Sequence, residues 1–156
     1  MESLNLPTYS FKIKSESGRK YIFDSFRKKY VVLTPEEWVR QNFAIYLTRE
    51  KGVPGGRVVI EKSLLYNKMQ RRCDVLVYGD NEPVMIVECK APEVKIQQGV
   101  FDQVAVYNLE FRVPYLVVTN GKEHYCCLID FKNREIRFLE NIPDYNSLLN
   151  EGESRV

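Results

Sequence analysis

The segment Val84-Met85-Ile86-Val87-Glu88-Cys89-Lys90 constrains this chain more than any other. Four consecutive apolar residues directly after the turn Gly79-Asp80-Asn81-Glu82-Pro83 read as a strand covered on both faces. Such a strand needs a sheet with helices on its two sides. Tyr115-Leu116-Val117-Val118-Thr119 is a second run of the same kind, closed by Asn120-Gly121. Thr34-Pro35-Glu36-Glu37 combines an N-cap threonine, a proline at the first helical position and a capping-box glutamate. It predicts a helix to about Lys51, stopped by Gly52-Val53-Pro54-Gly55-Gly56, with Val39, Phe43, Tyr46 and Leu47 on one face.

The remaining elements fit around these. Phe11–Lys14 and Lys20–Phe23 flank Ser15-Glu16-Ser17-Gly18 as a hairpin, and Tyr30–Leu33 follows as a further extended run. Arg57–Ile60 and Arg72–Tyr78 read as strands, and the second forms a hairpin with the run beginning at Val84. Residues 94–110 place Val100, Val104 and Tyr107 at helical spacing, interrupted by Gly99. Tyr125–Phe131 and Glu135–Leu139 read as a strand pair, and a short helix begins near Pro143. The expectation is an α/β domain with a central mixed β-sheet flanked by helices and an N-terminal β-hairpin over residues 11–32. No repeat or linker interrupts the 156 residues, so one domain is expected, with a core over about 30–140 and a tail over about 143–156.

Composition excludes several classes. A 44% hydrophobic fraction is too high for a disordered chain, and the longest apolar run, Val113–Val118, is far short of a membrane span. Met1-Glu2-Ser3-Leu4-Asn5 carries no secretory pattern, so a cytoplasmic protein without membrane contact is expected. Cys73, Cys89, Cys126 and Cys127 lack C-x-x-C spacing and read as buried free thiols. A single histidine, His124, argues against a Cys/His zinc site and against Ser-His or Cys-His nucleophilic catalysis. Any chemistry must fall to carboxylates and lysine.

The buried strand ends on charge. Burying a carboxylate and an ammonium costs several kcal/mol unless they are paired or bound to an ion. Alternation puts Glu88 and Lys90 on one side of the strand, and simple antiparallel pairing places Asp74 roughly opposite Glu88. Two close carboxylates suit a hard divalent cation such as Mg²⁺ or Mn²⁺, and a neighbouring lysine suits a scissile phosphate. Residue types alone equally allow an ion-pair cluster with no chemistry. The net charge of +2 is uneven: residues 1–33 hold seven Lys/Arg against three Asp/Glu, and residues 57–72 hold five against one, ending in Arg71-Arg72. Residues 73–130 hold four basic against nine acidic. This is either a phosphate-binding rim around an acidic centre or a solvated face.

Asp74 followed by Glu88-Cys89-Lys90 resembles the D…(D/E)-x-K signature of the PD-(D/E)XK nuclease superfamily, with Cys73 in place of the signature proline. Leu33-Thr34-Pro35-Glu36-Glu37-Trp38-Val39-Arg40-Gln41, then Glu88-Cys89-Lys90-Ala91-Pro92, Gln103-x-x-x-Tyr107-Asn108, and Pro114–Gly121 more specifically resemble the N-terminal nuclease domain of type I restriction enzyme R subunits. The resemblance implies a restriction-endonuclease-like core and Mg²⁺-dependent cleavage of DNA, with Mn²⁺ as a substitute. It implies Asp74 and Glu88 as metal ligands and Lys90 as the catalytic lysine. Gln103 and Tyr107 would reach DNA or brace the site, and Arg71 and Arg72 are expected on the DNA side.

Relatives often add a first-helix glutamate. Glu36 is the expected contributor, with Glu37 taken up by the capping box. No G-x-x-x-x-G-K-[ST] loop occurs, so separate motor or specificity subunits, or a stand-alone role, are expected, and paired cuts would suit a homodimer. The alternatives are a non-cleaving nucleic-acid-binding module and an assembly domain on the same fold.

Overall fold

A computed structural model of the chain describes residues 1–154; the side chains of Tyr66, Tyr107 and residues 151–154 lie outside the described residues, as do Arg155 and Val156 of the expected tail. The N-terminal hairpin is present and is extended to a three-stranded antiparallel sheet, β1 (Ile13–Glu16), β2 (Arg19–Asp24) and β3 (Lys29–Val32). Tyr30-Val31-Val32 supplies the third strand by pairing back on β2.

Helix α1 (Pro35–Arg49) starts as the sequence predicts: the Thr34 side chain accepts from the Glu37 N–H at 3.0 Å, and Pro35 opens the first turn. The second half of the capping box is not used, because the Glu37 carboxylate is buried and engaged elsewhere. Val39, Phe43, Ala44 and Leu47 are fully buried.

A 3₁₀ turn at Gly55–Arg57 leads into β4 (Val58–Tyr66), then β5 (Met69–Tyr78), β6 (Pro83–Cys89), α2 (Gln98–Phe111), β7 (Tyr115–Thr119), β8 (His124–Asp130), β9 (Glu135–Leu139) and α3 (Tyr145–Ser154). The six strands lie in chain order in one sheet. All neighbours are antiparallel except β6 and β7, which run parallel because α2 carries the chain back across the sheet.

Helices cover both faces, as the unbroken apolar strands require. Val75, Val77, Met85, Val87 and Val117 pack with α1, while Leu116, Val118 and Cys127 pack with Phe101 and Ala105 of α2. All four cysteines are buried and free.

Two features of β4 and β5 exceed the sequence reading. The strands run further than Arg57–Ile60 and Arg72–Tyr78, and they join through Asn67 and Lys68, both at positive φ (49° and 65°). That is the two-residue turn a tight hairpin demands, without the glycine that usually marks it. The second is a slip of alternation. Cys73 and Val75 should share a face, yet Cys73 packs with Leu76 and Ile86 while Val75 packs with α1. The slip falls at Asp74. Its partner across the ladder is Glu61, between the pairs Ile60↔Val75 and Lys62↔Cys73, and Glu61 has φ 53°.

The cap on α1 gives a direct test. Thr34→Ala should lower stability by about 1 kcal/mol, a melting-temperature drop of roughly 2–4 °C. An unchanged thermal midpoint would show that the helix start is held by its neighbours rather than by the threonine.

Candidate functional site

The turn between β5 and β6 sets a register of Val75↔Val87 and Leu76↔Ile86, so Asp74 and Glu88 stand opposite each other just where the ladder ends. The Asp74 carboxylate reaches across: its Oδ2 accepts from the Cys89 N–H at 2.8 Å. Its Oδ1 accepts from Arg40 Nη2 at 2.9 Å, tying it to α1. Glu88 is held from the other side. Its Oε1 accepts from Arg71 Nη2 at 2.6 Å, and Arg71 also donates to Asn108 Oδ1 on α2. The two adjacent carboxylates are therefore each clasped by a guanidinium, one anchored on α1 and the other braced by α2.

Electrostatics mark the pair. Burial, and then the neighbouring Asp74 carboxylate, push the Glu88 carboxyl up to about 7, against the pull of Arg71. Arg40 is 5% exposed, and its Nη1 donates to Glu37 Oε1 at 2.5 Å. Burial opposes its charge, but Asp74 and Glu37 hold it protonated above the ordinary range.

Lys90 follows β6 directly, and its N–H donates to the Thr119 carbonyl at 2.8 Å. This extends the parallel pairing one residue past Cys89↔Thr119. Strand alternation therefore puts Lys90 on the Glu88 side, half-buried.

Glu36 and Glu37 divide differently from the sequence expectation. Glu36, 47% exposed at its side chain, bonds Arg40 Nη2 at 3.1 Å, so one guanidinium joins it to Asp74. Glu37 takes bonds from Arg27, Arg40 and Gln41 Nε2. Arg71 lies inward, in contrast to its expected place on the DNA side, because its charge is needed against Glu88. Arg72 does face solvent, bonded to Glu61 Oε2 at 2.6 Å. Gln103 is exposed on α2, and the Tyr107 side chain lies outside the described residues.

Sequence reasoning passed over Arg40, Glu61 and Arg27. Glu61 joins Arg27, Arg40 and Arg72, which hold its carboxyl below the usual range against the effect of burial. The signal for Arg40 was its spacing of four from Glu36 and three from Glu37 on one helix face. The signal for Glu61 was that it is the lone acid of residues 57–72. Arg27, Glu36, Arg40, Glu61 and Glu93 line an open cleft of about 590 Å³, which meets Asp74 through Arg40 and is not lined by Asp74, Glu88 or Lys90 themselves.

Among the described residues no three His, Cys, Asp or Glu side chains are already gathered as a cation site. The chemistry of the donor pair nevertheless fits one. Two carboxyl groups lie side by side, Glu88 driven toward its neutral form by burial and then by Asp74, and a divalent cation would favour the charged form of both.

A family model for the type I restriction enzyme R protein N terminus matches residues 35–143, which spans the helix, the carboxylate pair and most of the sheet. The chain belongs to this family. Its fold is similar to that of a fragment described as the putative HsdR subunit of a type I restriction enzyme from Vibrio vulnificus YJ016, with a TM-score of 0.55 and 19% identity. That likeness covers 79% of this chain and 26% of the other, so the chain spans about a quarter of the structure it matches. No curated protein matches it in sequence.

Two outcomes follow from this geometry. Arg40→Met strands the Glu37 and Asp74 charges and should cost about 3–5 kcal/mol in urea unfolding, whereas a loss under about 1 kcal/mol would mean solvent already screens the network. In metal-free buffer, the native state holds the Glu88 proton between pH 4.5 and about 7 while the unfolded chain releases it. Stability is therefore lost as pH rises through that window, by on the order of 1–3 kcal/mol, and Glu88→Gln should flatten the profile. Parallel wild-type and variant profiles would contradict the assignment.

Proposed function

We propose that this chain is the nuclease module of a type I restriction R-subunit-like system, hydrolysing DNA phosphodiester bonds with a divalent cation, in the manner of the PD-(D/E)XK nucleases. The observation that carries this reading is the Asp74–Glu88 pair, two carboxyl groups packed side by side at the end of a buried strand, with Lys90 two residues on. Two carboxylates held this close, with Arg40 on one and Arg71 on the other, offer the hard oxygen donors that suit a divalent cation.

In this reading Asp74 and Glu88 hold Mg²⁺, or Mn²⁺ in its place. The ion supplies Lewis acidity toward a phosphate oxygen and acidifies water. Arg40 and the Cys89 N–H fix the Asp74 carboxylate, and Arg71 with Asn108 fixes Glu88, so the ligands need little reorganisation. The Lys90 ammonium stabilises charge developing on the scissile phosphate. Glu36 bears on the site through Arg40. Gln103 and Tyr107, four apart on α2, contact the nucleic acid or brace the site.

The family also suggests company. Motor and specificity subunits would deliver the DNA, and a second active site, from a homodimer or another subunit, would complete a double-strand cut. Among the described residues no helix is long and apolar enough to cross a membrane, which suits the proposed cytoplasmic setting.

Supercoiled DNA with Mg²⁺ or Mn²⁺ provides the test. Lys90→Ala should lose about 10²-fold or more of the nicking rate with its melting temperature retained. Millimolar Mn²⁺ should raise the melting temperature of wild type and not of Asp74→Asn. Equal nicking by wild type and the Lys90 variant, or none by either with Mn²⁺ bound, would overturn the reading.

A further inference from the structure

Beyond Glu61 and Asp74 the β4–β5 hairpin leaves the body of the sheet. β5 pairs with β6 only from Val75 onward, and β4 is the edge strand, so residues 62–66 and 69–73 pair only with each other. Five residue pairs make a two-stranded ribbon about 17 Å long at 3.3–3.4 Å per residue.

Its composition departs from the rest of the chain. Residues 62–73, Lys-Ser-Leu-Leu-Tyr-Asn-Lys-Met-Gln-Arg-Arg-Cys, contain Lys62, Lys68, Arg71 and Arg72 and no acid, in a protein with 23 basic and 21 acidic residues.

The two faces of the ribbon have different fates. Leu64, Arg71 and Cys73 lie on the α2 side, where Leu64 and Cys73 pack near Val113 and Phe111 and Arg71 reaches Asn108. Ser63, Leu65, Gln70 and Arg72 lie on the other face, and all four are exposed, Leu65 at 75%.

The slip of alternation at Asp74 decides where that open face points. Arg72 bonds Glu61, Glu61 pairs with Arg40, and Arg40 holds Asp74, so the open face continues the side of the sheet on which the cleft lies. Beyond Glu61, a strip without acids therefore runs outward from Asp74.

We infer that residues 62–73 form a DNA-gripping arm, its open face of Ser63, Leu65, Gln70 and Arg72 laid against duplex DNA that continues past the candidate site. This rests on the nuclease reading above and names the surface that would hold its substrate. Arg72 on the open face and Lys68 at the turn supply phosphate contacts, and Lys62, paired with Cys73 on the α2 side of the free edge strand, adds exposed positive charge. Ser63 and Gln70 supply neutral hydrogen-bonding groups, and Leu65 supplies an apolar contact to sugar or base edges. A two-stranded ribbon is of a size that the major groove of about 12 Å admits. Among the described residues, Leu65 and Met69 are the large apolar side chains exposed along the arm, less than the broad apolar surface of a protein-docking face. The Arg72–Glu61 pair is exposed on the Arg72 side, so phosphate can take the guanidinium at little cost.

The test is fluorescence anisotropy with a labelled duplex of about 20 base pairs in EDTA across a salt series. It compares wild type, Lys62→Gln/Lys68→Gln/Arg72→Gln, Lys68→Gln alone as a minimal variant at the turn, and Lys28→Gln/Lys29→Gln as a basic control at the β2–β3 turn. The triple variant should bind at least tenfold more weakly. Its log K against log salt slope should shrink by about 2–3, roughly 0.9 for each phosphate that the variant no longer neutralises. Lys68→Gln should lose a smaller share of both, and the control should change little. Leu65→Ala should weaken binding severalfold without altering the slope. If wild type binds and the arm variants bind equally well, or the Lys28/Lys29 control loses as much as they do, the arm is refuted while the nuclease reading stands. If wild type binds no duplex at all, the nuclease reading falls and takes the arm with it.

Discussion

Guanidinium groups make this carboxylate pair possible. Asp74 and Glu88 end up adjacent because the four-residue turn 79–82 sets β5 against β6, and nothing in the stretch between them neutralises the two acids. Arg40 from α1 and Arg71 from the outer part of β5 supply the missing charge. Arginine suits this work better than lysine, because its planar fork reaches two partners at once: Asp74 with Glu37, and Glu88 with Asn108. The site and the packing of both helices are consequently one problem. Moving α1 shifts the anchor of Asp74, and moving α2 shifts that of Glu88.

The three-stranded N-terminal sheet is drawn into the same network. Asp24 is fully buried; burial alone would raise its carboxyl, but the bonds from Arg27 hold it below the usual range. Arg27 then spans to Glu37 and Glu61. The small sheet thus forms one wall of the cleft, with Val31 and Val32 lining it beside the start of α1. Trp38 fixes the joint further, stacking edge-on against Phe11 and donating its indole N–H to the Glu2 carbonyl at 2.9 Å.

Most of the fold was legible because its signals are local. The apolar run from Val84 could only be a strand covered on both faces, and Thr34-Pro35 announced a helix whose cap formed as read. The Asp74–Glu88 pairing was legible for the same reason, since it depends on one short turn. What escaped was nonlocal or conformational. The outer halves of β4 and β5 carry no alternating apolar pattern, because Leu65 stands on the open face while Lys62 and Arg71 lie on the covered one. Their turn uses Asn67-Lys68 at positive φ where the usual marker is glycine. Arg71 reads as surface charge in a basic stretch and becomes internal only when Glu88 and Asn108, 17 and 37 residues away, arrive beside it. Glu37 looked spent on a cap, but the cap needed only its N–H and left its carboxylate for Arg27 and Arg40.

Cys89 gives the arrangement a built-in reporter. It stands between Glu88 and Lys90, its N–H is tied to Asp74, and its thiol is 2% exposed and pushed well above the ordinary range by burial and by the Asp74 carboxylate. A thiol so placed is shielded from alkylating reagents while the β5–β6 hairpin is closed. Its labelling rate therefore counts the moments when the hairpin opens, and follows the breathing of the carboxylate pair without any change to the residues that make it.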